Sequence, residues 1–292
     1  MAFAATILLT PQWSATVRAD PAKSVFKEQW IAGTKGPEPE MQVQRYDADT
    51  FVIRQSVQTN PEAPFLYLLF GTDRALLEDT GAGGLKIRPT IDKIIAEWLA
   101  QKGRTSISLV VAHSHSHGDH IAGDGEFAGA PNVTVVGHAP GEVAAFFNIK
   151  NWPTDIASFD LGGRVLNIIP TPGHEAAAIM IYDPKTHWLL SGDSLYAGRL
   201  YVKLEAFHSF RDSIDRAAAF TKPLKISWLM GTHIEMTTTP RVDYPIHAAS
   251  HPKEHVLELP YSRLTDLQNS LDHMGDMPKL DVHADFIFYP LP

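Results

Sequence analysis

The stretch at residues 106–123, SISLVVAHSHSHGDHIAG, constrains this chain more than any other. Residues 107–112 are continuously apolar apart from one serine, which predicts a β-strand buried on both faces. The run empties directly into His113, His115, His117, Asp119 and His120. Unpaired imidazoles and a carboxylate are expensive to bury. They belong at the carboxyl end of the strand, facing a crevice, where layered α/β folds place their sites. His115 and His117 lie two apart, so an extended backbone points both to one side, where they can share a metal ion. Asp119 and His120 are adjacent and diverge unless the chain turns. Gly118 is read as supplying that turn, which would direct the second pair to a neighbouring ion. Nitrogen and oxygen donors without sulfur suit Zn2+, and also Fe or Mn.

The rest of the chain reads as alternating strands and helices. Residues 50–57, 65–70 and 74–79 have strand character, with a turn at Gly71-Thr72-Asp73. Residues 88–101 carry Ile91, Ile94, Ile95, Trp98 and Leu99 at helical spacing, with Pro89 in the first turn. Beyond the histidines, residues 133–136, 165–169, 177–182, 188–190 and 226–230 predict strands, and residues 183–186 a turn. Residues 141–147, 209–220 and 259–274 predict helices, and residues 286–289 an edge strand. Interleaving of this kind predicts sheets covered by helices, an α/β layered fold.

Composition narrows the function classes. With 44% hydrophobic and 20% charged residues, the 292-residue chain is of globular type. Asp+Glu outnumber Lys+Arg by 33 to 25, which argues against broad nucleic-acid binding, so no nucleic-acid partner is expected. The absence of cysteine removes disulfides, thiolate metal sites and thiol nucleophiles together. No segment approaches eighteen uninterrupted apolar residues, so no membrane span is expected. Residues 1–40 read as an N-terminal segment: a signal-like apolar start at residues 2–9 without a basic region before it, then a Gly/Pro-rich loop at 33–40. Location is left open between periplasmic or secreted and cytoplasmic. The region from about residue 234 is rich in Pro and His, carries no legible motif and reads as a C-terminal extension; nothing in the sequence speaks to oligomeric state.

His115-x-His117-x-Asp119-His120 resembles the signature of the metallo-β-lactamase-fold hydrolases. Four further motifs follow in that family's order: Leu77-Glu78-Asp79-Thr80-Gly81, Thr171-Pro172-Gly173-His174, Ser191-Gly192-Asp193 and Gly231-Thr232-His233. The resemblance covers about residues 41–235. It implies a four-layer αβ/βα sandwich, two mixed sheets with helices on the outer faces, forming a single domain over residues 41–292. It also implies a first ion held by His115, His117 and His174, a second by Asp119, His120 and His233, and Asp193 bridging them. Two Zn2+ are the implied cofactors, with Fe or Mn as alternatives. Asp79 would support the site without binding metal. His113 falls outside the family register and reads as a supporting or structural residue. Tyr196, three residues after Asp193, is similar to a tyrosine that lactonases of this fold direct at the substrate carbonyl; packing over the site is the alternative reading.

The activity so implied is hydrolysis of a small-molecule ester, lactone or thioester, by a hydroxide generated at the dinuclear site and oriented by Asp119. Asp193 weighs against β-lactam cleavage, since clinical-type lactamases of this fold lack an aspartate at the bridging position. The acidic chain weighs against the phosphodiester-cleaving, tRNA-processing branch. An iron-dependent persulfide dioxygenase needs mainly the first triad, so a complete second set weighs against it. For a glutathione thioester, Arg199, Lys203 and Arg211 are the only nearby cations.

Overall fold

The computed structural model describes residues 24–292; the signal-like residues 2–19 lie outside the described residues. Strands β1 (Met41–Asp47), β2 (Thr50–Gln55), β3 (Phe65–Phe70) and β4 (Arg74–Glu78) run as an antiparallel meander. Helix α1 (Arg88–Lys102) crosses over to β5 (Ser108–Ala112), which lies parallel to β4. After the short helix α2 (Gly118–Ile121), β6 (Val133–Val135) completes a mixed sheet ordered β1-β2-β3-β4-β5-β6.

Helix α3 (Pro140–Phe147) leads to β7 (Ala157–Asp160), β8 (Val165–Pro170), β9 (Ile179–Asp183) and β10 (Trp188–Gly192). Strand β11 (Arg199–Lys203) and helix α4 (Phe207–Thr221) precede β12 (Trp228–Gly231) and β13 (Glu258–Leu259). The second mixed sheet is ordered β13-β12-β10-β9-β8-β7. Helix α5 (Ser262–Met274) and strands β14 (Asp281–Val282) and β15 (Ile287–Leu291) end the chain. The expected edge strand at 286–289 is instead the central strand of a three-stranded sheet ordered β11-β15-β14. Its parallel partner β11 lies far upstream, so no local pattern announces the pairing.

Alternation along the first sheet sorts its side chains into two cores. Val52, Tyr67, Leu69, Leu76 and Val110 face the second sheet and join Ile168, Ile181 and Leu189. Ile53, Leu66, Leu68, Leu77 and Val111 face the other way, under Ile91, Ile94 and Trp98 of α1. Each such side chain contributes roughly 1.5–3 kcal/mol by leaving water. Trp98 stacks on Phe70 at 4.5 Å and donates its indole N–H to Asp49 at 2.9 Å. Helix α1 begins with proline in its first turn and ends where Gly103 takes φ 63°, a left-handed cap. On the far side of the second sheet, α4 and α5 bury Phe207, Phe210 and Ile214 with Leu264, Leu267 and Leu271. The layers are thus helix, sheet, sheet, helix.

Part of the expected N-terminal segment is docked rather than free. Phe26 and Trp30 are buried, Trp30 edge-on to Phe65 at 5.0 Å, and the Val25 N–H donates to Glu258 at 2.6 Å. No helix among the described residues is long and apolar enough to cross a membrane. The carboxyl ends of β4, β5, β8, β10 and β12 carry Asp79, His113–His120, His174, Asp193 and His233 respectively, so both sheets deliver polar groups to one crevice.

Candidate metal centre

The loop after β5 is shaped by Asp79, whose φ of 68° places it in the left-handed region. One of its oxygens accepts the Ser114 backbone N–H, and the other accepts the Ser114 hydroxyl and lies against His120 Nδ1, all at 2.8 Å. The turn that separates the two ligand pairs is helical: His117 caps α2 with an extended φ and ψ, and Gly118 takes the first helical position. Gly118 has an ordinary backbone there, and a Cβ on it would meet nothing within 4 Å. The turn expected at Gly118 is thus present as the first winding of α2, and it does not depend on the missing side chain.

The structure brings together all seven side chains singled out as ligands. His117 Nδ1 lies 3.0 Å from both His115 Nε2 and His174 Nε2. His120 Nε2 lies 3.2 Å from His233 Nε2 and 3.2 Å from Asp119 Oδ2, and His233 Nε2 is 3.4 Å from the same oxygen. Between these triads sits the Asp193 carboxylate. Its Oδ2 is 3.8 Å from His115 and from His120 and 3.5 Å from His174, and its Oδ1 is 3.4 Å from His233. Thr232 donates its hydroxyl to Asp193, which fixes the carboxylate.

The donor set fits divalent cations. Nitrogens bound to one tetrahedral Zn2+ at about 2.0–2.1 Å stand about 3.3 Å apart, close to the spacings within each triad. Four of the five imidazoles have their far nitrogen anchored: His120 on Asp79, His115 on Ser114 at 3.1 Å, His174 on the Tyr201 carbonyl at 2.7 Å and His233 on the Glu62 carbonyl at 2.8 Å. Such outer partners fix tautomer and ring orientation and raise ligand basicity. Burial, then the neighbouring imidazoles His120, His174 and His117, push the His115 pKa well down, which favours the neutral, ligating form. Burial opposes charge on His233, but Asp193 and Asp119 outweigh it and push its pKa up to about 9. Burial opposes charge on His120 as well, and Asp79, Asp193 and Asp119 carry its pKa well above the usual imidazole range. These carboxylates create a field that calls for positive charge, which metal ions would supply in place of protons.

His113 does not join the seven. Its Nε2 lies 2.9 Å from Asp124, whose other oxygen is 2.7 Å from His138 Nε2, and the Thr80 hydroxyl donates to Asp124 at 2.7 Å. The ligand atoms of His113, Asp124 and His138 lie within 4.8 Å of one another. Among the described residues neither imidazole has its second nitrogen anchored, unlike four of the five imidazoles in the main centre. The cluster ties the β5 loop to the residues after α2 and β6. Sequence reasoning missed Asp124, Ser114 and the Glu62 carbonyl; the spacing of Asp124 four residues past His120 was the one available signal for these.

Tyr196 is buried and its ring packs edge-on to His233 with centroids 5.6 Å apart. Its hydroxyl donates to the Arg199 carbonyl at 2.5 Å and lies 3.0 Å from Glu235.

Comparisons with known proteins follow the same lines. The model of the metallo-beta-lactamase superfamily matches residues 59–250. Hydroxyacylglutathione hydrolase from Methylococcus capsulatus is 30% identical over 130 residues, which are 43% of this chain and 50% of that protein. The enzyme of the same name from Rhodopseudomonas palustris is 30% identical over 42% of this chain and 48% of its own length. The chain thus spans about half the length of these curated relatives. Among solved structures, a metallo-beta-lactamase from Pontibacter korlensis has TM-score 0.52 and 20% identity, covering 80% of this chain and 99% of that one. The mono-zinc form of FIM-1 from Pseudomonas aeruginosa has TM-score 0.54 and 15% identity over 82% and 98%. At these identities the solved structures speak for the fold alone, and the family model covers well over half the chain: it belongs to the metallo-beta-lactamase superfamily.

Proposed function

We propose that this chain is a dinuclear metal-dependent hydrolase that opens ester, lactone or thioester carbonyls of small molecules. The observation that carries the reading is the position of Asp193, one carboxylate within 3.8 Å of four imidazoles drawn from both triads. His115, His117 and His174 would hold one ion and Asp119, His120 and His233 the other, with Asp193 shared. The relatives named hydroxyacylglutathione hydrolase support hydrolysis of this general kind. We also read residues 41–292 as one domain, supported by β15 pairing with β11 and by the buried Arg54–Glu254 ion pair.

When bound, two Zn2+ ions supply Lewis acidity and make water in the site easier to deprotonate at neutral pH. Asp119, partly open to solvent and held by His120 and His233, is placed to orient a water and take its proton. Burial works against charge on Asp119, but the hydrogen bonds of His120 and His233 keep its pKa far below the usual carboxylate range, so it enters the reaction ionised. Asp79 and Ser114 hold the imidazoles in their ligating orientation. Tyr196, with its hydroxyl already engaged, acts by positioning His233 and the β11 backbone.

The test is metal analysis followed by a panel of lactones, thioesters, β-lactams and phosphodiesters. Two ions per chain with turnover confined to carboxylic esters, lactones or thioesters is the expected result. A single iron with oxygen consumption on persulfides, or no transition metal in active protein, would overturn the reading.

A further inference from the structure

Beside His233 the surface folds inward to a cavity of about 250 Å³. Arg199 is the one lysine or arginine among its lining residues. That guanidinium is already matched twice: Nη2 pairs with Glu235 and Nη1 with Asp243, both at 2.6 Å, and Nη1 also donates to the Tyr244 carbonyl at 2.7 Å. Arg199 is 5% exposed, so it is not free to swing out to a ligand. Glu62 adds a further carboxylate at the rim, with His247 3.2 Å away. Glu235 and Asp243 therefore outnumber the guanidinium they pair with, while Glu62 is matched to His247. The other two cations that sequence reasoning offered do not line the cavity. Arg211 donates to the Gly275 carbonyl at 2.8 Å and lies 3.9 Å from Asp276, and Lys203 sits exposed at the end of β11.

His233, His247 and His251 also line it, and none of them is free: His233 Nδ1 faces the Glu62 carbonyl, His247 faces the Glu62 carboxylate and His251 faces Glu254. Tyr244 and Ile246 contribute apolar surface, and Arg199 Nε is buried without a partner among the described residues. A wall of this kind suits a ligand without carboxylates, because bringing like charges together in a partly desolvated space is strongly unfavourable.

Resting on the hydrolase reading above, we infer that this cavity receives the non-reacting part of an uncharged ester, lactone or thioester, and selects against carriers bearing free carboxylates such as glutathione. This sets the chain apart from what the names of its curated relatives state of those proteins.

Two measurements on the full, metal-loaded protein test it. The first compares kcat/KM for one acyl group carried by glutathione and by N-acetylcysteamine, an uncharged thiol. The uncharged carrier is expected to be favoured at least about tenfold. The second compares calorimetric binding of S-hexylglutathione with that of its diethyl ester, which masks both carboxylates; the ester is expected to bind more tightly. Asp243→Asn and, independently, the surface variant Glu62→Gln should each narrow both gaps. Equal or better use of the glutathione forms overturns the inference while leaving the hydrolase reading in place. Absence of any turnover with the binding preference intact removes the hydrolase reading and keeps the cavity's selectivity.

Discussion

At Asp79 a left-handed backbone and a fully buried carboxylate serve three donors from the β5 loop, and the second ligand triad depends on them. Asp79→Ala frees the His120 ring while leaving His174 anchored on Tyr201. Loss of such an outer partner weakens metal affinity by about 10–100-fold. The expected outcome is selective: after dialysis against a weak chelator the variant keeps one ion per chain where the parent keeps two, as elemental analysis would report. Equal loss of both would mean that Asp79 shapes the whole crevice rather than one half. Its neighbour Glu78 presents the opposite case. It is completely buried, and both carboxylate oxygens lack a partner among the described residues. Burial, then the Asp79 charge, push its pKa well up, which favours the neutral form. A buried polar group without partners costs about 1–3 kcal/mol. Glu78→Met, of similar volume, should therefore raise unfolding free energy by an amount in that range in urea titrations. A less stable variant would show that the carboxyl has a role its surroundings do not reveal.

At the scale of elements, the β8–β9 turn is wedged against α4. Gly173 has φ 148°, and a Cβ there would lie 2.4 Å from the Phe210 Cα, a backbone atom that cannot give way cheaply. Gly173→Ala should push His174 off its place, costing about 1–3 kcal/mol in stability and weakening the first triad rather than the second. The C-terminal elements are joined by charge. Asp285, just ahead of β15, accepts from Arg263 of α5 and lies 3.5 Å from His255 Nε2. Burial disfavours charged His255, but Asp285 and the Val256 carbonyl outweigh it and raise its pKa above 6.5. Folding thus takes up a proton there. The contribution is complete below about pH 6.5 and is lost as pH rises through the raised value. Burial would raise the Asp285 pKa, yet His255 and Arg263 lower it, so its contribution holds above about pH 4 and fades as pH falls further. The stability gap between the parent and His255→Asn should be largest near pH 5–6 and close in alkaline buffer; a gap that widens with pH would contradict the pairing.

The same elements show what a sequence can disclose. Candidate ligands at strand ends are legible because each motif is short and contiguous, and the seven side chains those motifs single out are the ones the fold brings together. The buried strands and α1 are legible because burial imposes apolar patterning on them. Strand β1 (MQVQRYD) is an edge strand with a single buried residue, and β11 owes its existence to β15 near the end of the chain, so neither leaves a local trace. Phe26 and Trp30 look like part of a loose leader until the hydrophobic surface they cover is seen. The charge of the cavity is the least legible of all, since Arg199 reads as a free cation until Glu235 and Asp243 are found beside it.

For the whole molecule, the centre is a joint between the two sheets. The first sheet supplies His115, His117, Asp119 and His120 from the end of β5, and the second supplies His174, Asp193 and His233 from β8, β10 and β12. Each triad draws on both sheets, so an ion in either one would link them. A ligand that binds only the folded state stabilises it by RT ln(1 + [L]/Kd), about 2.7 kcal/mol when it is present at a hundred times Kd. Chelation should therefore lower the unfolding midpoint of the whole chain in one cooperative step, since the apolar core between the sheets is continuous beneath the site. His174→Ala, which leaves the second triad complete, should retain part of the metal-dependent gain; a variant lacking both His174 and His233 should lose it and unfold at the same point with or without chelator. If chelator leaves the parent's midpoint unmoved while removing the metal, the ions do not join the sheets, and the ligand assignment built on their convergence fails with it.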